Sequence, residues 1–179
     1  MDDKARLKKA LKKGCRQIGV PDARMERAFR MAVENQRNTS FGINENGYRH
    51  RVLLAGHPYN IYDSFANLNL VQKLHGLDIG VVTEEWVNRC EMLEELKGLI
   101  KDPYWFFFIH NFAPALVLMK KREIDGIVYV SSFCCGTDSV TIEMIRNRIG
   151  AFPFLVLKLD EQTGEAGYNT RLEAFREVL

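Results

Sequence analysis

The chain has 179 residues, of which 46% are hydrophobic and 27% charged, and its formal net charge at pH 7 is +2. This size and composition are typical of a globular protein with a real hydrophobic core and exclude an intrinsically disordered chain. The small net charge argues against a nucleic-acid partner, and we interpret the basic segment Lys4–Arg16 as a solvent-exposed helix face. We find no signal peptide and no apolar stretch long enough to span a bilayer, so we expect a cytoplasmic protein without a membrane partner.

Two amphipathic helices are predicted before any strand. Apolar residues recur at helical spacing from Leu7 to Ile18, after which Gly19 and Pro21 end the first helix. The second helix begins at Asp22, a suitable capping residue, and this helical preface occupies residues 1–40.

Short apolar runs alternate with helical segments through residues 50–179, which we predict to be the core of the fold. Because such alternation produces parallel βαβ units, we predict an α/β fold. It would have three layers, with a Rossmann- or flavodoxin-like parallel sheet of about four strands flanked by helices, and an N-terminal helical pair. The predicted strands are Arg51–Ala55, Ile79–Val82, Ile127–Val130 and Phe154–Leu157, and the predicted helices are Asp63–Leu74, Trp86–Ile100, Trp105–Arg122, Val140–Ile149 and Thr170–Leu179. For the aromatic run Trp105–Phe108 an extended conformation is an equal alternative.

We treat residues 1–179 as a single α/β domain. Two helices precede the first strand, and the last predicted helix reaches Leu179 without a glycine or asparagine cap. We therefore expect the chain to be a fragment of a longer protein.

The segment 131–138, Ser-Ser-Phe-Cys-Cys-Gly-Thr-Asp, follows the third predicted strand. Ligands of open α/β sheets bind beyond the carboxyl ends of the strands, so thiols at this position are placed for chemistry. Thr137, Asp138 or Ser139 is expected to cap the next helix, whose amino end favours the thiolate form of a nearby cysteine.

Cys134 and Cys135 are adjacent, which excludes an ordinary disulfide between them. On an extended backbone their side chains point to opposite sides, so we expect one to face the crevice and the other to enter the core. The alternative, that both pack as small buried hydrophobic residues, stays open.

Polar residues also follow the other strand ends, which favours a shared site at one edge of the sheet. His57 is a candidate acid, base or ligand, although a histidine in a turn is more often only hydrogen-bonded. Glu84 and Glu85 are as well explained by the start of a helix. For Arg171 we consider three partners: Asp160, Glu161 or a bound anion. Dinucleotide and Walker-type phosphate loops are absent, which argues against an ordinary dehydrogenase or kinase.

Three stretches, in this order along the chain, resemble the 2-hydroxyacyl-CoA dehydratase family, and most of all its activase-related members. The first is Val52–Asn60 followed by Asp63, the second combines Asp125–Ile127 with Ser132–Asp138, and the third extends from Asp160 through Gly164 to Phe175.

The resemblance implies an iron–sulfur protein of anaerobic metabolism, in which cysteines from more than one lobe hold a [4Fe-4S] cluster. An ATP-dependent activase then delivers an electron, and the substrate is an acyl-CoA. The family pattern matches Phe133, Cys135, Gly136 and Asp138, so the resemblance implies Cys135 as a cluster ligand, with Cys134 as a second candidate. The residues expected at the rim facing a substrate or partner are His57, Tyr59, Asn60, Asp63, Ser132, Asp138, Glu161 and Arg171.

The N-terminal lobe that supplies other cluster cysteines in the family has no counterpart in this chain. Because a cluster needs three or four thiolates, we expect this fragment by itself to hold no cofactor and to be inactive. Its parent would be a lyase or the electron-transfer activator of one. Two alternatives remain: a non-redox module that docks an activase, and a thiol enzyme in which His57 activates Cys135 if the first and third strands are neighbours.

Overall fold

The computed structural model describes residues 3–38, 41–101 and 103–179 of the protein. The chain divides into two compact units, Met1–Phe41 and Gly42–Leu179. The boundary lies close to the end of the predicted helical preface.

The first unit is a pair of helices, α1 (Asp3–Gln17) and α2 (Asp22–Asn38), which confirms the predicted N-terminal helical pair. Arg16 donates two hydrogen bonds to the carboxylate of Asp22, and Lys12 lies 3.0 Å from the same carboxylate. These two cations hold the pKa of Asp22 well below its usual range. Met25 is buried in this unit.

The second unit is built on a sheet of four parallel strands, which confirms the predicted α/β class. The strands are β1 (His50–Gly56), β2 (Ile79–Val82), β3 (Gly126–Ser132) and β4 (Phe154–Leu159), in the spatial order β2-β1-β3-β4. In this order β1 pairs with β2 on one side and with β3 on the other. The connections therefore change direction between β1 and β3, which makes that point the topological switch of the sheet.

Helices cover both faces of the sheet and complete a three-layer fold. Leu53, Ile127 and Tyr129 pack in the hydrophobic cluster on one face, whereas Val52 and Val128 pack in the cluster on the other. Within residues 3–38, 41–101 and 103–179, no helix has the length and apolarity needed to cross a membrane. The helices of this unit are α3 (Pro58–Tyr62), α4 (Leu70–Gly76), α5 (Arg89–Leu96), α6 (Phe106–Lys121), α7 (Gly136–Ile149) and α8 (Glu165–Arg176), and Glu84–Trp86 forms a 3₁₀ turn.

The single helix predicted over Asp63–Leu74 is wrong, because α3 and α4 are separated by a turn. Leu68 and Asn69 both have a φ of +56°, which a right-handed helix does not allow. The carboxylate of Asp63 accepts hydrogen bonds from the backbone N–H groups of Phe65 and Ala66 and so stabilises this turn.

The predicted start of the helix after β3 is also wrong. The capping residue of α7 is Cys135, whose carbonyl accepts the backbone N–H of Ser139. Thr137, Asp138 and Ser139 therefore lie inside the first turn, and none of them caps the helix.

Gly56 ends β1 where the strand lies beside Val130 of β3. Its φ is +143°, and a Cβ atom at this position would collide with the carbonyl oxygen of Val130. Only glycine allows both the positive φ and the close approach of Val130 without strain. The next residue, His57, therefore lies at the switch point.

We expect Gly56→Ala to lower the free energy of unfolding by about 1–3 kcal/mol or more, because it adds backbone strain and a clash with β3. Gly167→Ala in α8 is the matched control, since nothing lies within 4 Å of its added Cβ. The control should be neutral or stabilising by up to about 1 kcal/mol. Urea unfolding followed by circular dichroism measures both changes, and equal stability of the two variants would contradict this explanation.

Candidate functional site

Three side chains with donor atoms for protons or metals meet at the carboxyl ends of β1 and β3. His57 follows β1 directly, and its Nε2 lies 4.0 Å from Sγ of Cys135 and 3.3 Å from Oδ1 of Asp138. The three donor atoms lie within 4.8 Å of one another. The group therefore occupies the switch point, where open α/β sheets bind ligands.

Cys135 and Cys134 differ in position, although they are neighbours in the chain. Cys135 is half-buried at the amino end of α7, with Sγ 3.3 Å from Oγ1 of Thr137. Cys134 is exposed, and its φ of +62° interrupts the extended backbone on which we predicted that one thiol enters the core. That prediction is wrong, and so is the alternative of two buried packing cysteines.

Asp138 is a carboxylate buried to 2% exposure. Its Oδ1 accepts a hydrogen bond of 2.8 Å from the hydroxyl of Tyr129, and its Oδ2 accepts one of 2.9 Å from Ser131. Burial raises the pKa of the Tyr129 phenol, and the negative charge of Asp138 raises it further. The phenol therefore stays protonated and acts as a donor to the carboxylate.

Aromatic packing fixes the imidazole of His57, which is 8% exposed. The ring stacks on Tyr59 with centroids 5.1 Å apart, and Phe107 of α6 meets it edge-on at 4.4 Å. Nδ1 is buried without a hydrogen-bond partner among the described atoms. Stacking, and not a hydrogen bond at Nδ1, therefore holds the ring with Nε2 towards Cys135.

The backbone before His57 is fixed by Asn111 of α6. Its side-chain oxygen accepts a hydrogen bond of 2.6 Å from the N–H of Gly56, and its amide nitrogen donates to the carbonyl of Phe107. One buried amide thus links the end of β1 to the helix that supplies the aromatic contact to His57.

Asn60 and Ser132 form a second polar pair beside the switch point. The hydroxyl of Ser132 donates to Oδ1 of Asn60 at 3.2 Å, and the buried Nδ2 of Asn60 has no partner among the described atoms. Both residues line a cleft of about 560 Å³, together with Asp160, Glu161 and Thr163. The cleft has the volume of a small-molecule site, and His57, Cys135 and Asp138 do not line it.

The remaining predicted rim residues have structural partners. Asp63 stabilises the turn between α3 and α4, and Arg171 donates to the carbonyl of Val156. No ion pair within the described ranges joins Arg171 to an acidic residue. At the end of β2, Glu84 pairs with His110 at 2.7 Å, and Glu85 accepts a hydrogen bond from Tyr62.

Sequence reasoning missed Tyr129, Ser131, Phe107 and Asn111 as contributors to the site. Tyr129 could have been found from the sequence, because it lies in the apolar run 127–130 and a buried phenol needs a hydrogen-bond partner. The contribution of Asn111 carried no such signal, since it depends on how α6 crosses β1.

The arrangement differs from a relay in which a carboxylate orients histidine towards a thiol. In such relays the carboxylate binds Nδ1 and leaves Nε2 for the nucleophile. Asp138 instead faces Nε2, the same nitrogen that faces Cys135. Three donor atoms that converge on one point are typical of ligands around a shared ion.

Residues 1–87, just under half of the chain, match the family model of the CoA enzyme activase uncharacterised domain (DUF2229). This N-terminal portion is thus similar to an activase-related domain. The matched residues include β1, His57 and β2, whereas Cys135 and Asp138 lie outside them. No curated protein matches the chain.

We expect Tyr129→Phe to lower the free energy of unfolding by about 1–3 kcal/mol, because it removes a hydrogen bond to a buried charge. Tyr62→Phe is the matched control, since it removes a phenol that donates to the exposed Glu85. Its effect should stay below about 1 kcal/mol. Urea unfolding measures both, and a Tyr129→Phe effect no larger than the control would contradict the role assigned to Tyr129.

Proposed function

We propose that this chain is the α/β domain of an activase-related iron–sulfur protein of the 2-hydroxyacyl-CoA dehydratase type, in which Cys135 is one ligand of a [4Fe-4S] cluster. The observation that carries the proposal is the half-buried thiol of Cys135 at the topological switch point, at the amino end of α7. Cysteine binds iron as the thiolate, and a thiol at this position can reach a cluster beyond the strand ends. The similarity of residues 1–87 to a CoA enzyme activase domain supports the activase-related part of this proposal.

The donor set fits one position of such a cluster. A cluster needs three or four thiolates, and within the described residues the convergent group contains one cysteine, with Cys134 exposed beside it. The remaining ligands would come from another part of the parent protein. When bound, the cluster would supply one-electron transfer, while this chain positions the Cys135 thiol beside His57, whose ring is packed against Phe107.

The polar cleft bordered by Asn60 and Ser132 is the candidate place for a substrate group. Its acidic residues, Asp160 and Glu161, oppose phosphate binding but suit the hydroxyl or amide groups of a hydroxyacyl thioester. Asn60 is buried at the edge of this cleft, and its Nδ2 has no partner among the described atoms.

Cys135→Ser should reduce the iron content of the anaerobically reconstituted full-length parent protein, because serine replaces a cluster thiolate. Cys134→Ser is the matched control for the adjacent exposed thiol. The measurement is iron and sulfide per protein together with the cluster absorbance. Unchanged iron content in Cys135→Ser would show that Cys135 is not a cluster ligand.

A second candidate function is docking of an ATP-dependent activase without redox chemistry in this domain. The observation that favours it is a run of exposed aromatic side chains, Tyr104–Phe107, beside an apolar pocket of about 530 Å³. Exposed apolar patches of this kind mark interaction surfaces. Phe107 also contacts His57, so a partner bound to this patch would lie close to Cys135.

Trp105→Ala should weaken binding of the purified activase to this chain by about tenfold or more, as exposed tryptophans at interfaces often do. Phe65→Ala is the control, since Phe65 is an exposed aromatic residue outside the run. Isothermal titration without iron measures the affinity. Equal binding by wild type and Trp105→Ala would exclude this docking surface.

A further inference from the structure

The buried charge of Asp138 lacks a permanent cationic partner. Its hydrogen-bond donors are the neutral hydroxyls of Tyr129 and Ser131, and within the described residues no lysine or arginine forms an ion pair with it. Buried carboxylates are seldom found without a paired cation or a metal ion. Among the described residues, the basic group beside Asp138 is the Nε2 of His57, which also faces the thiol.

The spacing of the donor atoms suits one tetrahedral ion. Metal–nitrogen and metal–oxygen bonds of about 2.0–2.2 Å place the two ligand atoms about 3.3 Å apart. The observed separation between Nε2 of His57 and Oδ1 of Asp138 is 3.3 Å. A bond of about 2.3 Å to sulfur requires sulfur–nitrogen and sulfur–oxygen distances of about 3.5 Å. Sγ of Cys135 lies 4.0 Å from Nε2, and the three donor atoms lie within 4.8 Å of one another, so the Cys135 side chain must rotate towards the ion.

The charges of the three groups also balance. A thiolate and a carboxylate together neutralise a divalent cation, while the imidazole binds in its neutral form. Sulfur, nitrogen and oxygen in one ligand set favour zinc, ferrous iron or cobalt over magnesium or calcium, which prefer oxygen alone.

The groups around the ligands are arranged as a supporting shell. Both oxygens of Asp138 accept hydrogen bonds from β3, and the ring of His57 is fixed by Tyr59 and Phe107. Ligating carboxylates and imidazoles are usually oriented in this way. The one missing element is an acceptor for Nδ1 of His57, which lowers the expected affinity by about 10- to 100-fold relative to fully supported sites.

We propose that His57, Cys135 and Asp138 form a three-ligand site for a single divalent transition-metal ion, with a fourth coordination position left for water or a substrate oxygen. This inference rests on the proposed function in one respect, that Cys135 ligates metal, and it adds His57 and Asp138 as ligands. The single ion and the cluster are alternative occupants of the same Cys135 thiolate. A mononuclear site is complete within this chain, whereas the cluster needs thiolates from elsewhere.

The test is an anaerobic titration of the reduced full chain with Co²⁺. We expect a thiolate-to-cobalt charge-transfer band in the near ultraviolet and visible bands of tetrahedral intensity, with one ion bound per chain and displaced by Zn²⁺. Cys135→Ser should abolish the charge-transfer band. His57→Gln and Asp138→Asn should each weaken binding by at least about tenfold, and Asp138→Asn keeps an oxygen that accepts from Tyr129.

Cys134→Ser and Cys90→Ser are the matched thiol controls and should bind Co²⁺ as the wild type does. Circular dichroism of each variant establishes that it is folded. Absence of the band in wild type, loss of it in Cys134→Ser, or normal affinity in folded His57→Gln and Asp138→Asn would each overturn the site.

The outcome is separable from that of the cluster experiment. Iron content that depends on Cys135, together with a failed Co²⁺ titration, would leave the cluster ligand in place and overturn the mononuclear site. Co²⁺ binding that depends on all three residues, together with unchanged iron content in Cys135→Ser, would support the mononuclear site and overturn the cluster role.

Discussion

The parallel pairing of β1 with β3 is the constraint on which the site depends. His57 and Cys135 are 78 residues apart in the chain, and their proximity exists because Gly56 lies beside Val130 in the sheet register. The absence of a side chain at Gly56 allows this close approach at the end of β1. If β3 shifted by one residue relative to β1, each of its side chains would move to the other face of the sheet. Tyr129 would then no longer lie on the same side as Asp138.

Residues of β3 and α7 form the second half of the same arrangement. Tyr129 and Ser131 point from the strand to the first turn of the helix, where Asp138 accepts a hydrogen bond from each. The buried carboxylate thus fixes the start of α7, and with it the position of Cys135 at the helix cap. Stability and candidate chemistry depend on the same few contacts, so substitutions here should change both.

Much of the fold could be predicted from the sequence, because buried parallel strands have a simple pattern of apolar residues. The runs at Val52–Ala55 and Ile79–Val82 carry that pattern, interrupted once by Gly80, and each lies within a strand of the sheet. The turn at Leu68 and Asn69 could not be predicted, since positive φ in non-glycine residues depends on tertiary contacts. The start of α7 was missed because a cysteine caps it without a side-chain hydrogen bond.

The candidate site was only partly predictable for a related reason. Individual polar residues at strand ends are visible in the sequence, but which of them meet depends on strand order. His57 and Asp138 meet Cys135, whereas Glu84 and Arg171 bind elsewhere. The direction from which Asp138 approaches His57, at Nε2 and not at Nδ1, is a property of the fold alone.

The most direct test of the account is a crystal structure of the reduced chain grown anaerobically with Zn²⁺, analysed by anomalous scattering at the zinc edge. If the three residues bind one ion, we expect one peak about 2.0–2.3 Å from Nε2 of His57, Sγ of Cys135 and an oxygen of Asp138. A zinc peak bound elsewhere, with His57 and Cys135 turned away from each other, would contradict it.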